Sequence, residues 1–348
     1  MYSDVIKSAL EQEIAGQPRA INGVVRGVTR VASGLTPRER TFCAYLFVGP
    51  TGTGKTHLVR TLARALHGDE NRMVVADCAR FAHADPWMAF IAQLAPLFTV
   101  PRMGNGSNLL EAPPLSIILI EYLERGTVEI FKALAAALET GRVMLPQGRL
   151  GSLRNCLIFL TTGLCSREIL AEPSGIGFTA SAEDGQEEAE DEKLQALCLE
   201  QVEKGFGSDL MGRLDGMIIF HKLEPEHLSQ ILDRRIARLT RWLTTRGFRC
   251  ELEPAAREFL LERGGRDLKR GGRDLVRMHR QYVEFPVADL IISGRVPPGG
   301  RVIADRKQGE GHLHFTVTPP ETGADAPVCD APAVHEVPIS WERVEILH

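Results

Sequence analysis

The sequence predicts an α/β chain: a parallel sheet covered by helices on both faces, then a smaller helical domain with short strands near its end. Three observations carry this expectation. Apolar, β-branched runs alternate with stretches whose apolar residues recur at helical spacing, the pattern of a parallel sheet with helical crossovers. One strand-to-helix junction is the glycine-rich octet Gly49-Pro50-Thr51-Gly52-Thr53-Gly54-Lys55-Thr56. Beyond Leu223-Glu224-Pro225 long amphipathic stretches take over. A chain of 348 residues has room for both domains.

Taken in order, residues 1–13 read as a short amphipathic helix. Ile14-Ala15-Gly16-Gln17 follows, then a helical stripe of Ala20, Ile21, Val24, Val25 and Val28, broken at Gly34-Leu35-Thr36-Pro37. Ala44 to Val48 is a strand, and His57 to Leu66 is a helix through Leu58, Leu62, Ala65 and Leu66. Met73 to Asp77 is a second strand. Residues 85–110, with Pro, Gly and Asn, read as loops. Ser116 to Ile120 is a fully buried strand ending in Glu121-Tyr122-Leu123-Glu124. A helix from Val128 to Thr140 stops at Gly141. Asn155 to Leu160 is a fourth strand, ending at Thr161-Thr162-Gly163.

Ala180 to Lys193 carries seven carboxylates and reads as a solvated loop. Helix resumes from Leu194 to Lys204, and Met217 to Phe220 is a last short strand of this domain. After residue 222, helices span 227–246, 254–263 and 274–292, the last kinked at Pro286. Residues 301–317 alternate as strands. Pro319 to Pro332 reads as a linker, and Ile339 to Leu347 as a final strand or tail. The expected division is a large domain over 1–222, a small one over 223–318, and a tail over 319–348.

Composition narrows the partners. Apolar residues make up 44% and charged residues 25%, ordinary for a globular protein. A net charge of −4 gives no general attraction to nucleic acid or to an anionic membrane. The basic run Arg263, Arg266, Lys269, Arg270, Arg273, Arg277 and Arg280 is local and reads as a solvated helix face. No apolar run is long enough to span a bilayer, and the first residues lack the charge layout of a signal peptide. The seven cysteines are scattered without a C-x-x-C pair, which reads as reduced core cysteines of a cytosolic protein.

The octet carries the chemistry. Its spacing is G-x-x-x-x-G-K-T between a strand and a helix. Glycines let backbone N–H groups turn inward around a polyphosphate, beside the positive end of the following helix. Lys55 is expected on the β- and γ-phosphates, and the Thr56 hydroxyl on Mg²⁺. The chain is therefore expected to bind a nucleoside triphosphate.

From these residues outward, the sequence resembles the AAA+ ATPases of the Clp unfoldase group, closest to the second ATPase module of ClpA, ClpB and ClpC. The likeness runs from about Leu10 to about Val317. It rests on Ile14-Ala15-Gly16-Gln17 as the adenine-side box, on the octet, and on Gly141-Arg142, Gln147-Gly148-Arg149 and Arg154-Asn155 ahead of the fourth strand. It also rests on Phe206 to Phe220, and on Gly265-Arg266-Asp267 with Gly271-Gly272-Arg273-Asp274-Leu275. The resemblance implies an AAA+ P-loop NTPase fold, with a parallel-sheet nucleotide domain and a small helical lid domain. It implies ATP and Mg²⁺ as ligands, Ile14 and His57 beside the nucleotide, Arg273 as the sensor-two arginine, and Arg213 as an arginine finger serving a neighbour's site. A finger in trans requires a ring, and the family's rings are usually hexamers acting on protein substrates. No substrate-binding domain is expected ahead of the module, so substrates are expected to reach the ring directly or through an adaptor.

Two departures bear on catalysis. In the family's second acidic motif, an Asp holds the metal and the following Glu polarises water. Here Glu121 stands for the Asp and Tyr122 for the Glu. A tyrosine with a pKa of about 10 is no base at neutral pH, and losing a positioned base costs roughly 10²–10⁴-fold in rate. The sensor-one asparagine falls on Gly163, with Thr162 beside it. Glu121 is assigned both metal binding and the residual catalytic role, ahead of Glu124. Two outcomes follow: a slow ATP hydrolase that remodels or unfolds proteins, or an ATP-dependent assembly scaffold that hydrolyses little.

Two loops remain open. Phe98, in Leu97-Phe98-Thr99-Val100, is either the aromatic that grips substrate in the pore or a core residue. Ile176-Gly177-Phe178 resembles the loop that docks a ClpP-like peptidase, and ordinary loop packing is the other reading.

Overall fold

The computed structural model describes residues 2–33, 41, 43–81, 86–98, 109–111, 115–145, 148–171, 184–265, 271–307, 309–320 and 336–337. The chain divides into two compact units, Met1–Lys222 and Leu223–His348.

In the first unit, helices α1 (Tyr2–Glu13) and α2 (Pro18–Ala32) lead into strand β1 (Cys43–Val48) and helix α3 (Lys55–His67). Strand β2 (Val74–Asp77), helix α4 (Pro86–Leu94), β3 (Leu109–Glu111) and β4 (Ser116–Glu121) follow, then helix α5 (Val128–Thr140). Short strands β5 (Arg142–Met144) and β6 (Leu150–Ser152) precede β7 (Cys156–Thr162) and α6 (Ser166–Ala171). Helices α7 (Asp184–Phe206) and α8 (Ser208–Met211) lead to β8 (Gly216–Ile219).

The main sheet has the order β2-β4-β7-β1-β8, and every pairing in it is parallel. Residues alternate between its two faces, as the two-residue period of a strand dictates. Ala44, Leu46, Val48, Ile118, Ile120, Ile158 and Leu160 enter one core with the apolar sides of α4, α5 and α7. Cys43, Phe47, Ile117, Leu119, Leu157 and Phe159 enter the other with α1, α2 and α3. With both faces covered, the central strands must be apolar throughout, which is why they read as unbroken hydrophobic runs. In the second core the Phe47 ring packs tilted against Phe159 and Phe220, at centroid separations of 5.3 and 5.0 Å.

Helices α3 and α5 stop where the chain turns left-handed. Gly68 caps α3 at φ +77°, its N–H donating to the Arg64 carbonyl, and Gly141 caps α5 at φ +61°.

Two expectations for the first unit need correction, and one small sheet had not been expected. Residues 86–98 are not loop: Pro86 opens α4, where its missing N–H costs nothing, and Phe90, Ile91 and Leu94 bury one face. A 3-10 turn, Ala95–Phe98, continues it. The acidic stretch is helical from Asp184 onward, as the first half of α7. Glu, Gln and Ala are good helix formers, and Leu194, Cys198, Val202 and Phe206 anchor the helix at four-residue spacing. The small sheet β3-β6-β5 had no clear signal, because three-residue strands leave too short a pattern.

In the second unit, α9 (Pro225–Thr244), β9 (Arg249–Leu252), α10 (Pro254–Gly264), α11 (Gly272–His279) and α12 (Phe285–Ile292) are followed by β10 (Arg301–Asp305), β11 (His314–Thr318) and β12 (Glu336–Val337). A capping box opens α9: the Glu224 side chain accepts from the His227 backbone, and the Glu224 N–H donates to His227 Nδ1 at 3.1 Å. The expected single helix over 274–292 is instead two α-helices joined by one π turn, Arg280–Glu284. Pro286 has no N–H to give an i→i−4 bond, and it sits in the first turn of α12. The strands form the sheet β12-β11-β10-β9, in which β9 runs parallel to β10. Residues 339–347 and most of 319–332 lie outside the described residues.

Candidate functional site

The octet lies at the C-terminal end of β1, an interior strand between β7 and β8, where ligands of open parallel sheets bind. Gly49 turns at φ +147°, and a Cβ there would lie 2.5 Å from the Phe220 carbonyl oxygen. The loop leaves the sheet so close to the end of β8 that no side chain fits. Gly49→Ala is therefore expected to destabilise the first unit by about 1–3 kcal/mol, read as a lower urea midpoint. Gly54, at φ +105°, has open space around it and is left-handed as the N-cap of α3. The exposed Thr51 and half-buried Gly52 form the loop's crest. Thr53 is buried beneath them, its hydroxyl donating to the Pro50 carbonyl at 2.9 Å.

Lys55 Nζ donates to the carbonyls of Gly49 and Pro50, at 2.6 and 2.7 Å. The Thr56 hydroxyl donates to Glu121 Oε1 at 2.5 Å. This bond joins the phosphate loop to the end of β4 and brings together the two residues expected at the metal. In the parallel register Asp77 is the neighbour of Glu121 across β2. Its carboxylate is engaged by the Ala79 N–H at 2.9 Å and by Arg80 at 3.4 Å. His57, on the first turn of α3, lies 3.9 Å from Glu13 of α1. Ile14 is buried in the second core. Beside it Gln17 is 2% exposed and clasps His221, donating to its carbonyl at 2.9 Å and accepting its N–H at 3.2 Å.

Past Glu121 the backbone is unusual. Tyr122 is left-handed, at φ +57° and ψ +49°, a conformation costing a bulky residue about 1–2 kcal/mol. It turns the chain into a single 3-10 turn, Leu123–Arg125, and the Arg125 guanidinium lies 5.2 Å from the Tyr122 ring centroid. That turn swings Glu124 toward Gly163: a Cβ built on Gly163 would lie 3.1 Å from Glu124 Oε1. The carboxylate thus stands at the edge of the space a sensor-one side chain would fill. Thr162 is buried and accepts the Leu164 N–H at 3.1 Å, so its hydroxyl oxygen is turned into its own loop. Sequence reasoning ranked Glu124 below Glu121. The left-handed tyrosine that carries Glu124 toward Gly163 cannot be read from residue types.

Arg213 follows α8. Its guanidinium bonds Glu139 at 2.9 Å, the Asp209 carbonyl at 2.6 Å, and the Asp209 carboxylate. Glu139 and then Asp209 raise its pKa above the ordinary arginine value. Two residues on, Asp215 accepts from Arg30 at 2.6 Å and from the Ala44 N–H at 2.7 Å, tying α2 to the start of β1. Sequence reasoning passed over Asp215, although Arg213-Leu214-Asp215 was within its motif. In the second unit Arg273 is exposed on the first turn of α11.

Phe98 is 3% exposed and packs its ring edge against Gly151, where a Cβ would lie 2.9 Å away. This corrects the pore reading: the aromatic belongs to the core, because the 3-10 turn after α4 points it inward. Ile176, Gly177 and Phe178 lie outside the described residues. The described cysteines are buried free thiols, and burial pushes Cys43, Cys78 and Cys250 up to about 12. No helix among the described residues is long and apolar enough to cross a membrane.

Comparison with known proteins agrees with this geometry. Residues 40–217 match the family described as AAA domain (Cdc48 subfamily), and residues 223–304 match the C-terminal, D2-small domain of ClpB protein. The chain is 30% identical to the chaperone protein ClpB of Rhodopseudomonas palustris, covering 94% of this chain and 35% of that protein. It is 27% identical to the negative regulator of genetic competence ClpC/MecB of Bacillus subtilis, covering 88% of this chain and 37% of that one. The chain thus spans about a third of the length of these relatives. A closed-state cryo-EM reconstruction of Hsp104:ATPyS and FITC casein superposes with a TM-score of 0.67, at 22% identity, over 86% of this chain and 50% of that one, a likeness of fold. The chain belongs to the AAA domain (Cdc48 subfamily) family, as a Clp-type AAA+ module.

Proposed function

We propose that this chain binds ATP with Mg²⁺ at residues 49–56, assembles into a ring of six subunits as its family does, and uses slow hydrolysis to remodel or unfold protein substrates. The observation that carries the reading is the Thr56–Glu121 hydrogen bond, which sets a hydroxyl and a carboxylate side by side at the end of the phosphate loop. A hydroxyl with a carboxylate is the hard-oxygen pair that suits Mg²⁺, so the residues present fit that ion. When bound, Mg²⁺ would neutralise charge on the phosphates. The chain's own part is to cradle the phosphates with the loop N–H groups, to place Lys55 against them, and to hold the ion through Thr56 and Glu121.

Glu121 is then committed to the ion, and Glu124 is the carboxylate we assign to accept a proton from the attacking water. Arg213 is assigned to a neighbour's site, where phosphate oxygens would replace Glu139 and Asp209 as its partners. Arg273 keeps the sensor role that the resemblance implies. The relatives' names, chaperone and Hsp104 with casein among them, support a protein as the substrate class. A ClpP-like peptidase as partner rests on the 176–178 motif alone.

A second reading is favoured by Tyr122 and Gly163, which remove two water-orienting side chains: an ATP-dependent scaffold with little turnover. The test is steady-state hydrolysis with and without an unfolded protein, beside sedimentation with ATP. Stimulated turnover supports remodelling. Ring assembly without turnover above the Lys55→Ala background supports the scaffold. In the remodelling case Arg213→Ala is expected to lower turnover about 10³-fold while ATP affinity stays within about threefold.

A further inference from the structure

The hairpin between β10 and β11 carries a cluster that neither the nucleotide site nor the family accounts for. Its sequence is Glu310-Gly311-His312-Leu313-His314. Leu313 and Phe315 are buried in the second unit's core. By strand alternation, His312 and His314 must face the other way, side by side. Their rings lie 4.8 Å apart, centroid to centroid. Glu310 comes back over them from the turn: its Oε2 is 3.2 Å from His312 Nε2 and pairs also with His314 Nε2. One ligand atom from each of the three residues lies within 4.8 Å of the others.

We propose that Glu310, His312 and His314 bind a zinc ion. Two imidazoles and one carboxylate are a borderline-soft, nitrogen-rich donor set, which suits Zn²⁺ better than Mg²⁺ or Ca²⁺. Zinc–ligand bonds of about 2.0–2.2 Å place tetrahedral donors roughly 3.5 Å apart, so small side-chain rotations close the set around an ion. The backbone is ready for this. Arg306 Nε donates to the Glu310 carbonyl at 3.2 Å, and the Glu310 N–H donates to the Lys307 carbonyl at 3.2 Å, fixing the turn. The nearby cation of Arg306 is itself paired with Glu262 at 3.0 Å. All three ligands are half-buried, which leaves a fourth position open to water or another donor.

The site's place gives it a consequence. β11 pairs on its open side with β12, Phe315 opposite Val337. An ion held by Glu310, His312 and His314 would pin the turn that precedes this strand and stiffen the edge on which the C-terminal segment pairs.

The test is zinc titration of the full chain at pH 7.5, after stripping with a chelator, by calorimetry and by competition with a colorimetric zinc indicator. One equivalent is expected to bind with micromolar or tighter affinity and to raise the thermal midpoint of the wild type. His312→Ala and His314→Ala are each expected to weaken binding at least about 10²-fold. Glu310→Gln, which keeps size and removes only the charge, is expected to weaken it about 10-fold, with an unchanged circular dichroism spectrum. Millimolar or non-stoichiometric binding by the wild type, or equal binding by wild type and Glu310→Gln and a histidine variant, would overturn the proposal.

Discussion

Lys55→Ala is expected to weaken ATP binding by at least about 30-fold, leaving the site largely empty at concentrations that only just saturate the wild type. The Lys55 ammonium rests on two carbonyls of its own loop, Gly49 and Pro50. Those oxygens hold a cation at the mouth of the loop, where a polyphosphate would take over its donors. Truncating one partner of a desolvated charge pair costs about 2–5 kcal/mol, or roughly 30- to several-thousand-fold in affinity. The loop glycines and their N–H groups remain in the variant, so the loss isolates the cation. Fluorescent-nucleotide binding measures it, and thermal shift checks it independently: ATP is expected to raise the wild-type midpoint and leave the variant's unchanged. Wild-type affinity in Lys55→Ala would refute the assignment of residues 49–56 to the triphosphate.

The second large effect is expected at Glu124. In a chain that turns over ATP, Glu124→Gln is expected to lower kcat by about 10²–10⁴-fold, the worth of a positioned base, with ATP affinity within about threefold. Glu121→Gln is expected to differ in kind, raising the Mg²⁺ concentration needed for half-maximal binding, because its carboxylate bonds Thr56. The contrast separates a base from a metal ligand, although the residues are three apart. Gly163→Asn supplies a second check. A side chain there begins 3.1 Å from Glu124 Oε1 and must push the carboxylate aside, so this variant is expected to lose kcat as well. Full turnover in Glu124→Gln together with none in Glu121→Gln would return the base to Glu121.

Strand and helix placement in the first unit was largely legible in the sequence. Strands β1, β4 and β7 are buried on both faces, so their apolar runs stand out from any neighbouring pattern. The octet was legible because its glycines answer to backbone constraints that few other sequences meet, as the collision at Gly49 shows. The failures share a cause of a different kind. The 86–98 helix was misjudged, and Phe98 left undecided, because their burial comes from partners far along the chain, such as Gly151. The acidic half of α7 was misjudged because charge pattern was weighed above propensity. Two further features lay outside any expectation: the position of Glu124 follows from a left-handed Tyr122, and the Glu310, His312 and His314 cluster from a hairpin that returns one carboxylate over two imidazoles. Residue types and spacing do not encode either event by themselves.

The strand order has a consequence for how the chain is made. β1 pairs with β8, and Tyr45 and Gly216 in that pairing are about 170 residues apart. Loop closure over such a span is slow. At synthesis rates of about 5–20 residues per second, β1 waits roughly 10–35 s for this partner. Until then Leu46, Phe47 and Val48, wholly buried in the finished fold, lie along an open sheet edge. A fragment ending before Gly216 keeps that edge permanently and is expected to collect in the insoluble fraction, whereas one ending at Lys222 closes the sheet.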